Sequence, residues 1–257
     1  MTWQEHPLVG GALRLADSGE LLLAGRLSLA AHAWMTDHAV LGTALLPGTA
    51  FVELALHAAS VAGCAAVEEL EVRAPLVLPE RGGVHIQVRV GDADDSGRRH
   101  LSVYARPDDH PAAAGVGGLG ADTDDVPWTR HAVGVLNPVG PPKPQPAHVA
   151  WGSAAWPPAD AVEVEPAVLY DRFSAFGYEY GDVFAGMEAV WRREGEIFAE
   201  VRLPARVAAD ASHYAVHSRA SGRRASAVDR GRSVRRTCGQ HAVAVRLAWC
   251  RRPLVGC

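Results

Sequence analysis

Long hydrophobic runs, lysines and paired cysteines are scarce in this sequence. No stretch of the 257 residues approaches the roughly 20 apolar residues of a membrane helix, and the N-terminus lacks the features of a secretory signal. There are four cysteines and one lysine. These absences exclude a disulfide-rich secreted scaffold, and we expect a cytoplasmic protein that contacts no membrane.

The rest of the composition is typical of a globular chain. Hydrophobic residues make up 48% and charged residues 21% of the sequence. That is enough apolar material for one large domain or two small ones. The formal net charge of −4 gives no reason to expect binding to nucleic acid.

Charge is unevenly distributed along the chain. Residues 1–217 carry 15 basic and 28 acidic side chains, whereas the tail, residues 218–257, carries ten arginines and one acid, Asp229. Clustered arginines are typical of an arm that binds a polyanion, which is one alternative for the tail. Three cysteines also lie there, but they lack paired CxxC spacing, and we expect no metal site.

Periodicity and turn residues predict an α+β chain. After Pro47, apolar residues recur at helical spacing in a buried helix that ends at Gly63 and has Thr49 as a candidate cap. Its predicted polar stripe is Glu53, His57 and Ser60. A second amphipathic helix is predicted over 168–176, with an apolar side of Leu169, Phe173 and Phe176.

Strand-like alternation surrounds these helices. A hairpin that turns at residues 17–19 is predicted over 13–29, and further strands over 67–78, 84–90, 100–104, 128–136, 187–191 and 197–203. We divide the chain into a first unit, a Pro-rich linker, the start of a second unit and the Arg-rich tail, with bounds 1–136, 137–164, 165–217 and 218–257.

The segment WMTDHAVLGTALLP contains the strongest candidate for chemistry. His38 lies just ahead of the buried helix, four residues before Gly42. An imidazole can accept a proton near neutral pH, and N–H groups around a glycine at a helix start can stabilise an oxyanion. Abstraction of an α-proton from a thioester requires both functions. From spacing alone, the alternative is a loop histidine that only packs.

Two neighbours of His38 are assigned no chemistry. Asp37 is expected to point away from the histidine into solvent, because adjacent side chains in an extended segment face opposite sides. His32 could suggest a metal pair, but no third ligand is placed to complete a site, and it is expected to cap a strand end.

The motif HxxxGxxxxP at His38, Gly42 and Pro47, followed by GTAFVELAL, resembles the first signature of dehydratase domains in modular type I polyketide synthases. YDRFSAFGYEYG, residues 170–181, resembles the tyrosine-glycine motif that opens their second half, although Asp182 stands where proline is usual. The resemblance covers residues 6–217.

This resemblance implies a double hotdog, in which two units each wrap a long helix in a curved antiparallel sheet and share one active site. Such domains eliminate water from a β-hydroxyacyl chain on the phosphopantetheine arm of an acyl carrier protein, giving an enoyl thioester in antibiotic biosynthesis. They have no cofactor of their own. Their partners are the carrier protein, neighbouring synthase domains and a second copy in a homodimer.

The resemblance also assigns roles to individual residues. It implies that His38 is the base and that the substrate-binding residues are Gly42, Pro47, Tyr180 and Gly181. The acid should be an aspartate in a stretch such as HPALLDAALQ, but from His217 onward the chain has HSRASGRRAS. Asp229, which is followed by Arg230 and Arg232, is a poor substitute. The chain is therefore expected to have little or no dehydratase activity.

A shifted reading frame accounts for the missing motif. When degenerate codons for residues 218–226 are read one base later, they permit Pro-Ala-Leu-Leu-Asp-Ala-Ala-Leu-Gln. The same shift over 243–250 permits Leu-Pro-Phe-Gly-Trp-Arg-Gly-Val, which is similar to another dehydratase signature. We interpret the tail as the product of a frameshift that leaves the second hotdog truncated or disrupted. The functional alternatives are a noncatalytic remnant of a synthase and a hotdog acyl-thioester hydrolase.

Overall fold

The computed structural model describes residues 6–108, 127–139, 157, 159–193, 196–205, 213–214, 225–228, 232–238 and 241–245. The first half contains β1 Gly11–Arg14, β2 Leu21–Leu27, β3 His38–Val40, β4 Thr43–Ala44, α1 Gly48–Ala62, β5 Ala66–Val72, β6 Val84–Ala93, β7 Arg99–Pro107 and β8 Thr129–Asn137. The second half contains β9 Val162–Val164, α2 Pro166–Ala175, β10 Tyr178–Tyr180, β11 Met187–Arg193, β12 Glu196–Val201, β13 Ala225–Val228, β14 Arg232–Cys238 and β15 His241–Val245.

The strands form three antiparallel sheets. One six-stranded sheet has the order β1-β2-β6-β7-β8-β5, and a second has the order β15-β14-β13-β12-β11-β9. A small sheet of order β10-β3-β4 joins residues from both halves of the chain. The predicted hairpin and strands are present, although the strand predicted over 67–78 ends at Val72, because Pro75 has no N–H to continue a ladder. Among the described residues, neither helix has the length and apolarity needed to cross a membrane.

Helix α1 packs against the first sheet and forms the centre of the main core. The helix begins after Pro47, the N-cap residue, and ends at Gly63, whose φ of +73° is the left-handed conformation common after helices. Thr49 was predicted as the cap, but it lies inside the first turn. The helix buries Phe51, Leu54 and neighbouring alanines against apolar residues of the sheet strands.

Helix α2 is shallower than the pattern predicted. It begins at Pro166, a residue favoured in a first turn because its missing N–H needs no partner there. Leu169 and Phe173 are half-buried, but Phe176 follows the last helical residue and is 77% exposed. The predicted apolar face is therefore one residue too long.

The tail contributes backbone to the second sheet. Strand β13 pairs with β12, and β14 and β15 continue the sheet outward. Residues 218–224, where the family's second long helix would begin, lie outside the described residues. The four-part division of the chain stays a prediction.

Glu53 was predicted on a polar stripe but is only 1% exposed. The Leu8 N–H donates to Nδ1 of His6, so the proton of a neutral His6 ring lies on Nε2. That nitrogen donates to Glu53 Oε1 at 3.0 Å. The His6 ring also stacks on His57 with centroids 4.4 Å apart. The buried carboxylate thus anchors the start of the chain to α1.

Replacing Glu53 with alanine is expected to destabilise the fold by about 3 kcal/mol, because it leaves the buried His6 donor without its acceptor. Glu71→Ala is the matched control, since the Glu71–Arg73 pair is half exposed and is expected to contribute less than about 1 kcal/mol. Urea unfolding measures both. Equal losses in the two variants would contradict the assigned role of Glu53.

Candidate active site

The small sheet brings His38 and Tyr180 together. In the antiparallel pairing of β3 with β10, His38 is the direct partner of Tyr180. Their ring centroids lie 5.7 Å apart, and the ring of Phe184 lies 5.2 Å from that of His38. We call the contact between β3 and residues 178–184 the seam. At the seam, residues from both halves of the sequence therefore contact the imidazole of His38.

The surroundings of His38 favour a neutral ring with one free nitrogen. Nδ1–H donates to the Leu45 carbonyl at 3.1 Å, so the lone pair of the neutral ring lies on Nε2. Burial lowers the pKa of His38 below its usual 6.5, although its backbone hydrogen bonds oppose the shift. Within the described part of the chain, Nε2 makes no hydrogen bond. His38 can therefore accept a proton at Nε2.

Tyr180 contributes a neutral phenol beside this base. Burial, with the nearby Tyr178 and Tyr170, raises the pKa of Tyr180, so its hydroxyl keeps its proton at neutral pH. Its ring stacks on Tyr178 and meets Phe173 of α2 edge to face. These aromatic contacts fix the ring while leaving the hydroxyl as a possible hydrogen-bond donor.

Gly42 and Pro47 lie in different local structures, a turn and a helix start. Gly42 is in the β3–β4 turn, where its φ of +74° favours glycine. Its N–H, predicted to face an oxyanion at a helix start, instead donates to Glu179 Oε1 at 3.1 Å. Pro47 caps α1. The substrate-binding roles of both residues stay predictions.

Gly181 packs directly against Asp37. Its N–H donates to the Asp37 carbonyl at 2.9 Å, and a Cβ at position 181 would overlap the Asp37 carboxyl group. Asp37 was predicted to be in solvent, but it is half-buried and its Oδ2 accepts the Val183 N–H at 2.9 Å. The prediction failed because Asp37 ends a 3-10 turn, Ala33–Asp37, rather than lying in an extended strand.

A cleft of about 480 Å³ lies beside the seam and includes Tyr170, Tyr178 and Glu179 in its lining. Tyr180 and Gly181 also line it, but His38 does not. The histidine ring instead packs against Phe184. The cleft and the free His38 nitrogen are therefore separate features among the described residues.

The described residues contain no cluster of three or more potential metal ligands. The ring nitrogens of His32, considered as a partner for His38, lie near the carbonyl oxygens of Pro7 and Ser28 at 3.0 and 3.2 Å. These contacts connect the segment after β2 to the start of the chain. They give His32 a structural role.

The family profile described as "Polyketide synthase dehydratase domain" matches residues 6–106. A second profile, described as "Polyketide synthase dehydratase N-terminal domain", matches residues 150–217. Together the matches cover more than half of the chain. The chain belongs to the dehydratase domains of polyketide synthases. The second match ends at residue 217, immediately before the Arg-rich tail.

Curated relatives are much longer synthases. The chain is 48% identical over 251 residues to pikromycin polyketide synthase component PikAII of Streptomyces venezuelae, an alignment covering 95% of the chain and 6% of that protein. That alignment extends past His217 into the tail. Identity to polyketide synthase GfsA of Streptomyces halstedii is 51% over 199 residues, covering 77% of the chain and 2% of that protein.

Solved dehydratase domains share the fold across almost the whole chain. The dehydratase domain from the terminal module of the rifamycin polyketide synthase is 34% identical with a TM-score of 0.76, and 91% of each chain is covered. The bifunctional dehydratase-cyclase domain in ambruticin biosynthesis has the same identity and TM-score, with 95% of each chain covered. These neighbours confirm the predicted double hotdog.

Sequence reasoning identified His38, Tyr180 and Gly181 but missed Phe184 and the contact made by Asp37. The missed residues meet the site through a turn that follows β10, and turns carry no periodic signal. The resemblance likewise covered Tyr180 without predicting which residue would lie opposite it. The roles of the predicted site residues in catalysis stay predictions.

In an NMR titration of the chain with ¹³C-labelled histidine, His38 is expected to titrate below pH 6.5 because burial disfavours its charged form. The His38 signal is assigned as the one that is missing from the spectrum of the His38→Asn variant. Since the unfolded chain would bind this proton more readily, acidification below about pH 6.5 is expected to destabilise the fold. A pKa at or above 6.5 would contradict the burial argument.

Proposed function

We propose that this dehydratase domain derives from a module that eliminates water from a β-hydroxyacyl chain on the phosphopantetheine of an acyl carrier protein, with His38 as the base. The observation that carries the proposal is the hydrogen bond from His38 Nδ1–H to the Leu45 carbonyl. It directs the free lone pair to Nε2. Burial favours the neutral ring, which is the form that accepts a proton.

The chemistry requires a base and an acid at the same site. His38 Nε2 would take the proton from the carbon next to the thioester carbonyl, and the electron pair of that C–H bond would form the new double bond. The bond from the β-carbon to the hydroxyl oxygen would break. A proton delivered to that oxygen would complete the departing water. The Leu45 carbonyl would stabilise the imidazolium through Nδ1–H.

We propose that this chain lacks the proton donor. Two carboxylates beside the seam already accept backbone hydrogen bonds, Asp37 from the Val183 N–H and Glu179 from the Gly42 N–H. The family motif that should supply an aspartate is replaced from Ser218 onward. The end of the second profile match at residue 217 supports a break at this point, although the alignment to the pikromycin synthase component continues into the tail. We therefore propose that the present chain has little or no dehydratase activity.

The tail also favours a second candidate, a noncatalytic remnant of a synthase. A hotdog without its acid could still pack against neighbouring synthase domains or a second copy of itself. The length of the curated relatives supports neighbouring domains, since the chain spans only 6% of the pikromycin synthase component. The carrier protein and the homodimer are proposed from family membership.

Restoring the frame tests the proposed function. The present chain is compared with a chain in which deleting one nucleotide after codon 217 restores the PALLDAALQ segment, and with its His38→Ala variant. Each is incubated with a β-hydroxyacyl carrier protein. Mass spectrometry is expected to show water loss at least about 100-fold faster for the restored chain than for the other two, because acid–base groups contribute that much or more.

Other outcomes separate the alternatives. Water loss by the present chain that requires His38 would overturn the missing-acid proposal. Free hydroxy acid, released without water loss, would indicate a thioester hydrolase. A restored chain that folds but leaves the substrate unchanged would contradict the frame interpretation and favour the remnant.

A further inference from the structure

We propose that Asp37 is a positioning residue that holds Tyr180 and Phe184 against His38. This inference deepens the proposed function and rests on it, because it concerns how the base is aligned for dehydration. Asp37 belongs to neither of the motifs that suggested the site. Its position at the end of the 3-10 turn places it immediately before β3 and beside the turn that follows β10.

Asp37 makes two hydrogen bonds across the seam. Its carbonyl accepts the Gly181 N–H, and its carboxylate Oδ2 accepts the Val183 N–H, both at 2.9 Å. Val183 is 4% exposed, so its N–H needs an acceptor within the protein. The two donors, Gly181 and Val183, lie on either side of residue 182. These two bonds hold the turn after β10 at both ends against the segment that leads into β3.

Gly181 transmits this constraint toward Phe184. A side chain at position 181 would overlap the Asp37 carboxyl group, so only glycine allows the close approach. The Gly181 carbonyl accepts the N–H groups of Phe184 and Ala185 at 2.9 and 3.0 Å. The resulting turn brings the Phe184 ring to 5.2 Å from the ring of His38.

A direct electrostatic role for Asp37 fits the site less well. The His38 Nδ1–H donates to the Leu45 carbonyl, and Oδ2 of Asp37 accepts the Val183 N–H. A carboxylate acting on the imidazole would favour the charged ring and raise its pKa. Burial lowers the pKa of His38, and the opposing contributions come from backbone hydrogen bonds rather than from the Asp37 carboxylate. The hydrogen bonds of Asp37, rather than its charge, are therefore the feature to test.

The test compares Asp37→Ala with Asp37→Asn in the full chain labelled with ¹³C at histidine. Asparagine can still accept the Val183 N–H through its amide oxygen, whereas alanine cannot. The His38 Cε1–H signal senses the rings of Tyr180 and Phe184. We expect that signal to move by more than its line width in Asp37→Ala and to stay near its original position in Asp37→Asn.

Gly181→Ala is the second variant, because its added methyl group would force the same contact apart without altering Asp37. Gly181→Ala is expected to move the His38 signal as Asp37→Ala does. If Asp37→Ala does not fold, the comparison of Gly181→Ala with Asp37→Asn replaces it. An unmoved signal in Asp37→Ala or in Gly181→Ala would overturn the proposal. So would equal displacement in Asp37→Asn and Asp37→Ala, which would assign the effect to charge.

This experiment stands apart from the dehydration assay. The His38 signal reports ring positions in the present chain, whether or not the chain eliminates water. A failed assay with the expected NMR shifts would count against the proposed function alone. Unmoved shifts with an active restored chain would count against Asp37 alone.

Discussion

Antiparallel pairing of β3 with β10 sets the distance between the two halves of the site. Neither strand is longer than three residues, so a few backbone bonds place Tyr180 opposite His38. The Leu41 N–H adds a bond to the Gly177 carbonyl at 2.8 Å on one side of this pairing. Asp37 adds its bonds on the other side. The chemistry of the imidazole depends on this register, because a one-residue slip would turn Tyr180 to the opposite face.

The first unit provides a rigid support for that pairing. Buried apolar residues of α1 and the first sheet form one continuous core. The short segment from the 3-10 turn through β4 is followed by Leu46, which belongs to this core and whose N–H donates to the Leu76 carbonyl. The second half offers fewer buried residues among those described. We therefore propose that the first unit holds the base, while the acid expected in the segment after His217 is missing from this chain.

Local patterns predicted the larger elements, since α1 and the long strands repeat apolar residues at regular spacing. His38 and Tyr180 were accessible through family motifs. The seam sheet was not predicted, because its strands are too short to show alternation and its pairing joins residues about 140 positions apart. Glu53 and Asp37 were misassigned for a related reason. A polar residue looks solvent-exposed in sequence until its distant partner, here His6 or Val183, is known.

Disulfide trapping tests the seam register most directly. Ala39 and Glu179 are direct partners, and Cα atoms of such pairs lie about 4.5–5.5 Å apart, within disulfide reach. With the four native cysteines changed to serine, Ala39→Cys combined with Glu179→Cys is expected to cross-link under mild oxidation, as measured by mass spectrometry of the linked peptides. Ala39→Cys with Tyr178→Cys, one residue out of register, is expected to remain largely reduced. Preferential cross-linking of that control pair would contradict the placement of Tyr180 opposite His38.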